Sequence, residues 1–252
     1  MQVHRFCTKQ EILHIRRMLH RSFCIMAMPT AVSAPPQLKN GDRLTRREFE
    51  RRYEAMPDVK KAELIEGIVY MPSPVTARQH SQPHAYLTTW LGTYAIQTPG
   101  VTVHDNATVQ LDLDNEPQPD ALLRIDEARG GQSRINEEDY IEGPPELVVE
   151  VAHSSAAYDL HDKKRAYRRN GVQEYVVWQI AEGCIDWFQL DGGAYTVQTP
   201  DDDGCLHSTT FPGLVLDAGA LLNDDPAAAL ARLNDALGGE AHQAFVDGLQ
   251  KE

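Results

Sequence analysis

With 252 residues, 42% of them hydrophobic, the chain can bury one substantial core but not two large ones. Its apolar runs are strand-sized, well short of the roughly 20 residues that span a bilayer. A formal charge of -13 argues against a protein that grips nucleic acid by overall attraction, so any DNA contact has to be local.

The charge is uneven: residues 201–252 hold ten acids and two bases, whereas Lys163 to Arg169 hold five bases and no acid. Cys7, Cys24, Cys184 and Cys205 are scattered, without the close pairs of a zinc ribbon or a disulfide scaffold, which fits a cytoplasmic protein. The stretch Met1 to Met28 carries Arg5, Lys9, Arg16, Arg17 and Arg21 against Glu11 but lacks the apolar core of a secretory signal; a start at Met28 is the alternative reading. Residues 1–43 are therefore expected to be a leader and a Pro-containing linker.

In chain order, Thr45-Arg-Arg-Glu48 has the form of a capping box opening a helix to about Ala55. Glu63 to Met71 reads as one apolar strand ending before Pro72, and a helix follows from about Thr76 to Gln97. Val101 to Leu113 alternates like a half-buried strand, with Asp114-Asn115 predicted to turn it into a hairpin partner for Asp120 to Ile125. Leu147, Val149 and Val151 mark a central strand, residues 156–170 a helix closed by Gly171, and Glu174 to Ile180 a strand parallel to the previous one. Cys184 to Leu190 and Ala194 to Gln198 flank Asp191-Gly192-Gly193 as a hairpin, and Leu230, Leu233 and Leu237 keep helical spacing in an acidic tail, residues 223–252.

The residues able to carry chemistry are Asp120 at a strand start, Glu150 on the face of its strand opposite Leu147, Val149 and Val151, and Lys163 on the following helix. Two carboxylates at adjacent strand ends suit a hard cation that also takes water and phosphate oxygens, and a nearby lysine suits developing negative charge.

Together with Glu63-Leu-Ile-Glu-Gly67, Met71-Pro-Ser-Pro74, His80, Pro119-Asp120, Pro145-Glu-Leu-Val-Val-Glu-Val151, Tyr167, Gly171-Val172 and Glu174-Tyr175, these residues resemble the Uma-two family from about Leu44 to Leu222. The resemblance implies an α/β fold with a restriction-endonuclease-like PD-(D/E)XK core, a central mixed β-sheet flanked by helices. It also implies a metal-dependent endonuclease acting on DNA, with Mg²⁺ or Mn²⁺ on Asp120 and Glu150, Lys163 as a lysine migrated from position 152, Glu63 as an accessory acid, and a homodimer as the expected assembly. One departure is Ala152-His153-Ser154-Ser155, where the family usually reads Leu-Ser-Pro-Ser.

Other readings stand beside these. Lys163 can salt-bridge Asp159 one turn back, and His80 can be a packed or capping histidine. His80 and His84 have zinc-like spacing but no third ligand, and Asp112, Asp114 and Glu116 imitate a calcium loop without its glycine. Tyr167, Arg168 and Arg169 are either a phosphate-contacting group or a solvated helix face, and Lys164 reads as solvated. The alternative function is a catalytically inactive nuclease-fold binding or assembly module.

Overall fold

The computed structural model describes residues 34–71, 76–153 and 158–251; the readings made on the leader to residue 33, on residues 72–74 and on residues 154–155 lie outside it. Its centre is a six-stranded mixed sheet built from β3 (Val101–Asp105), β5 (Ala121–Ile125), β8 (Leu147–Ala152), β9 (Glu174–Gln179), β10 (Cys184–Asp191) and β11 (Ala194–Val197). The spatial order is β11-β10-β9-β8-β5-β3, with β8 and β9 parallel and the remaining pairs antiparallel. Short strands lie outside it: β1 (Glu63–Ile65) with β2 (Ile68–Tyr70), β4 (Val109–Gln110) with β7 (Ile141–Glu142) and β6 (Arg134–Ile135), and β12 (Cys205–His207) with β13 (Val215–Asp217). Six α-helices are described beside them: α1 (Arg46–Glu54), α2 (Gln82–Gln97), α3 (Lys164–Asn170), α4 (Ala218–Leu222), α5 (Pro226–Leu237) and α6 (Glu240–Leu249), with π-helical turns at Ala77–Ser81 and Asp159–Lys163 and a 3₁₀ turn at Glu127–Arg129. This is the mixed α/β architecture expected from the sequence, and among the described residues no helix is long and apolar enough to cross a membrane.

The two faces of the sheet are sorted by strand alternation. From β8, Leu147, Val149 and Val151 enter a large cluster with Trp90, Leu91 and Tyr94 of α2, Trp187 of β10, and Leu233, Leu237 and Leu249 of α5 and α6. The acidic C-terminal segment thus buries its leucines in the main core, and Asp225 caps α5 by accepting from Ala228 N at 3.0 Å. Val148 and Ala152 face the other way, into a cluster with Tyr167 of α3, Tyr175, Val177 and Phe188. Glu150 shares that second face, under α3. Covered on both sides, β8 is buried at every position, as a strand inside an α/β sheet must be.

Two sequence expectations need correction. Glu63 to Met71 is a hairpin rather than one strand: Glu66 (φ 53°) and Gly67 (φ 71°) turn left-handed, Ile65 pairs with Ile68, and Asn115 Oδ1 accepts from Glu66 N at 2.8 Å. Likewise, the turn at Asp114-Asn115 does not join two strands of the main sheet. β3 pairs directly with β5, and residues 106–120 form an excursion that bridges Leu64 to Glu116. Alternation read along 101–113 missed this because the excursion buries Val109 and Gln110 in a separate small sheet. Upstream, packing extends to Leu38, which is buried with Phe49 and Leu64.

Glu174, the first residue of β9, is fully buried and ties the sheet to the loop before β13. Its Oε1 accepts from Ser208 Oγ (3.0 Å), Thr209 N (2.8 Å), Thr209 Oγ1 (3.1 Å) and Thr210 N (2.9 Å), and its Oε2 from Trp187 Nε1 (3.1 Å). Removing the carboxylate strands several buried donors, each costing about 1–3 kcal/mol. Glu174→Ala is therefore expected to lower unfolding free energy by at least about 3 kcal/mol in urea titration, without removing the residues of the second sheet face.

Candidate active site

The thirty-residue spacing between Asp120 and Glu150 follows from sheet register. β5 and β8 run antiparallel with Ala121 opposite Val149, so one further step sets Asp120 opposite Glu150. Directly opposed residues of such a pair hold their Cβ atoms about 4.5–5.5 Å apart. The two acids are locked together by Asp120 Oδ2, which accepts from Val151 N at 2.8 Å.

Across the sheet face, a π-helical turn (Asp159–Lys163) leads into α3 and delivers Lys163. Four residues on, one helical turn away, Tyr167 projects from the same side of the helix. Lys163 Nζ lies 2.8 Å from Glu150 Oε1, 2.9 Å from Glu63 Oε1 and 3.7 Å from Asp159 Oδ1, with all four residues buried. Tyr167 Oη donates to the same Glu150 Oε1 at 3.1 Å, and Gln118 N donates to Glu63 Oε1 at 2.8 Å. The four candidate residues read from the sequence are thereby brought into one constellation, with Asp120 joined to it through β8.

Asp120 has two basic side chains beside it: His80 Nε2 lies 3.2 Å from Oδ2 and Lys61 Nζ 3.7 Å from Oδ1. His84 Nε2 lies 2.8 Å from the Asp120 carbonyl oxygen and 2.9 Å from Asp105 Oδ1, so the two histidines flank Asp120 without forming a zinc site. Lys61 carried no signal in sequence, because it reaches the site from the loop before β1; His84 enters from the first turn of α2 and Asp159 from the π-helical turn. Tyr158 was equally silent; its ring centroid is 5.3 Å from Lys163 Nζ, and its buried hydroxyl has no hydrogen-bond partner among the described residues.

Neither sequence reading of Tyr167, as a phosphate contact or as part of a solvated helix face, holds, because the side chain is fully buried on Glu150. Arg169 is neutralised by Glu66 (3.0 Å) and Asp112 (3.5 Å).

Electrostatically, the cluster holds more carboxylate than cation. Burial drives the Glu150 carboxyl above its ordinary range against the pull of Lys163, and Asp120, Asp159 and Glu63 push it further. Lys163 is desolvated as well, but Glu150 and Glu63 outweigh that and hold it charged. For Asp120, burial is outweighed by the His80 hydrogen bond and the Lys61 charge, so it stays below the usual carboxylate range.

Among the described residues, no three His, Cys, Asp or Glu side chains form a ready-made metal cage. The donor set nevertheless fits a hard divalent cation that keeps several waters and takes one or two carboxylates. Both hydrogen bonds to Glu150 fall on Oε1, and Oε2 takes none from a described residue. Asp120 Oδ1 is engaged only by the 3.7 Å ion pair.

A raised carboxyl pKa binds a proton in the folded chain that the unfolded chain has lost, so its contribution to stability falls as pH rises above the unfolded value near 4.5. Thermal unfolding followed from pH 5 to pH 9 is expected to show this decline, and Glu150→Gln is expected to reduce it, Glu116, whose carboxyl burial and Glu50 also push up to about 8, carrying the rest. An unchanged slope in the variant would place the titration elsewhere.

Comparison with curated proteins gives no match. Among solved structures, the crystal structure of a "putative nuclease belonging to DUF820" from Anabaena variabilis is similar at 14% identity and a TM-score of 0.49, covering 71% of this chain and 97% of that one. The Uma2 (Uma-two) family, described as "Putative restriction endonuclease", matches residues 46–219, which hold Glu63, Asp120, Glu150 and Lys163. With well over half of its length matched, the chain belongs to the Uma2 family.

Proposed function

We propose that the protein is an endonuclease that hydrolyses phosphodiester bonds in DNA with Mg²⁺ or Mn²⁺ held by Asp120 and Glu150. The observation that carries this reading is the excess of buried carboxylate around one buried lysine at the junction of β5, β8 and α3. Uncompensated buried charge is costly, and a divalent cation between opposed strand ends would offset it. The family's description as a restriction endonuclease points the same way.

In this reading the cation supplies Lewis-acid neutralisation of the phosphate and a water made nucleophilic near neutral pH. The chain's own residues do the positioning. Asp120, held ionised by its His80 and Lys61 neighbours and oriented by Val151 N, offers Oδ1; Glu150, pinned through Oε1 by Lys163 and Tyr167, offers Oε2. Lys163 keeps its proton between two glutamates, where its charge counters negative charge developing on the phosphate. Glu63 holds that ammonium in place, as an accessory acid acting through Lys163.

A second reading has one observation in its favour: Lys163 already serves as counter-ion to Glu150 and Glu63, as it would in a nuclease-fold binding module with a purely structural cluster.

The test is nicking of supercoiled plasmid in Mg²⁺ or Mn²⁺ alongside calorimetric titration of metal. Cleavage that stops in EDTA and falls by roughly a hundredfold or more in Asp120→Asn and Glu150→Gln is expected, since metal stabilisation is worth several kcal/mol. Neither cleavage nor heat of metal binding in the native chain would decide for the binding module.

A further inference from the structure

Lys163 and Lys164 are neighbours, yet about 100° apart around the helix. Lys163 turns into the carboxylate cluster, whereas Lys164 turns toward the β10–β11 hairpin. There α3 and the hairpin enclose a groove of about 380 Å³ whose walls include His161, Lys164, Arg165, Arg168 and Tyr195.

The charges in this groove are compensated unequally. Arg165 is paired with Asp162. Arg168 gives Nη1 to a neutral acceptor, the Gly193 carbonyl oxygen, at 2.7 Å, and is in no ion pair with a described residue. Lys164 Nζ sits 3.5 Å over the ring of Phe188 and is likewise in no ion pair with a described residue, although the Asp186 carboxylate acts on it from farther off. Partial burial draws the Lys164 pKa below that of a free lysine. A half-buried ammonium against an aromatic face has given up part of its hydration and received a cation–π contact, with the pull of Asp186, in return.

Elsewhere on this acidic chain, Arg46, Arg51, Arg52, Arg134 and Arg169 are each tied to Asp or Glu. Two cations held side by side in a concavity, on the helix that also supplies Lys163, have the chemistry of a phosphate cradle. The guanidinium of Arg168, fixed at one corner by Gly193, retains donors for a phosphate oxygen, and Lys164 acts as a point charge beside it.

We infer that the groove between α3 and the β10–β11 hairpin binds the backbone phosphates of duplex DNA through Lys164 and Arg168. This rests on the nuclease reading for its choice of polyanion, and it names where a chain of net charge -13 attracts one. The groove lies on a different side of α3 from Lys163, against β11, whereas Glu150 is on β8. Its hairpin wall stands toward the Glu174 end of β9, whereas Glu150 is level with Val177, so a duplex held there would be anchored to one side of the carboxylate cluster. The attraction needs no metal and carries no sequence preference, because phosphate contacts position DNA without reading its bases.

The test measures fluorescence anisotropy of a labelled duplex in EDTA, with the full chain, across a series of KCl concentrations. The native protein is compared with Lys164→Gln/Arg168→Gln, with the charge-keeping Lys164→Arg/Arg168→Lys, and with Arg51→Gln/Arg134→Gln, which removes two bases already paired to acids. Each phosphate contact contributes about 0.9 to the slope of log affinity against log salt, so the glutamine pair is expected to lower the slope by roughly 1.8. The charge-keeping pair and the Arg51/Arg134 control are expected to retain it. Thermal unfolding of every variant checks that the fold is intact.

An unchanged slope in Lys164→Gln/Arg168→Gln, an equal fall in the control pair, or no duplex binding by the native chain would each overturn the inference. Plasmid cleavage in Mg²⁺, measured in parallel, separates it from the nuclease reading. A native chain that binds through this groove but does not cut leaves the cradle standing without the chemistry, and one that cuts while the glutamine pair binds as before removes the cradle alone.

Discussion

The ammonium of Lys163, inserted between Glu63 and Glu150, is the contact on which this arrangement turns. A carboxylate inside a strand covered on both faces has no access to bulk water, and its charge has to be met locally. Lys163 meets part of that demand, but Asp159 and Asp120 add further negative charge to the same neighbourhood. What remains is a standing electrostatic imbalance at the place where a β5–β8 strand pair meets the start of α3. Removing Lys163 would leave buried acids unpaired, which is far more costly than replacing the whole cluster with apolar residues. Its charge therefore belongs to the fold as well as to the proposed chemistry.

The surrounding structure is arranged to hold that imbalance rigidly. The large hydrophobic cluster on the α2, α5 and α6 side fixes one face of β8, so Leu147, Val149 and Val151 cannot slip register without exposing an apolar set. With the register fixed, Asp120 must face Glu150. On the other face, Tyr167 fills the space beneath α3 while donating to Glu150, and Tyr175 donates to the Asp159 carbonyl at 3.1 Å, so aromatic packing and polar satisfaction come from the same side chains. Glu174 performs a comparable service at the far end of β9 with a different outcome. Both of its oxygens are engaged, by five donors in all, whereas Glu150 and Asp120 each keep an oxygen that no described residue hydrogen-bonds. That contrast distinguishes a structural carboxylate from a candidate ligand.

Charge on α3 is partitioned by helical geometry. Consecutive residues Lys163, Lys164 and Arg165 enter three environments: an acid cluster, an aromatic face and a local ion pair. A run of five bases in sequence thus becomes one buried counter-ion, two ion-paired surface groups and, in a groove, two cations in no ion pair with a described residue. The net charge of the chain says little about this, because the acids that dominate it are concentrated elsewhere, many of them beyond residue 200.

Period-two alternation in Leu147 to Val151 was enough to assign a central strand and to set Glu150 apart from its apolar neighbours. The short return from 170 to 174 required a parallel partner, and both follow from local stereochemistry that a sequence displays directly. The family motifs marked Glu63, Asp120, Glu150 and Lys163 together, and the fold does bring them together. Tertiary structure decided the rest. That Glu63 to Tyr70 turns back on itself depends on two left-handed residues supported by Asn115, a contact across 49 positions. That Tyr167 is buried while Arg168 is exposed depends on which side of α3 meets the sheet. That Lys61, His80 and His84 surround Asp120 depends on loops and helices converging from separate parts of the chain. Local pattern encodes the period of an element and the face that seeks the core; which groups meet across that core is set by register and packing between distant segments, and no single stretch of sequence carries that information.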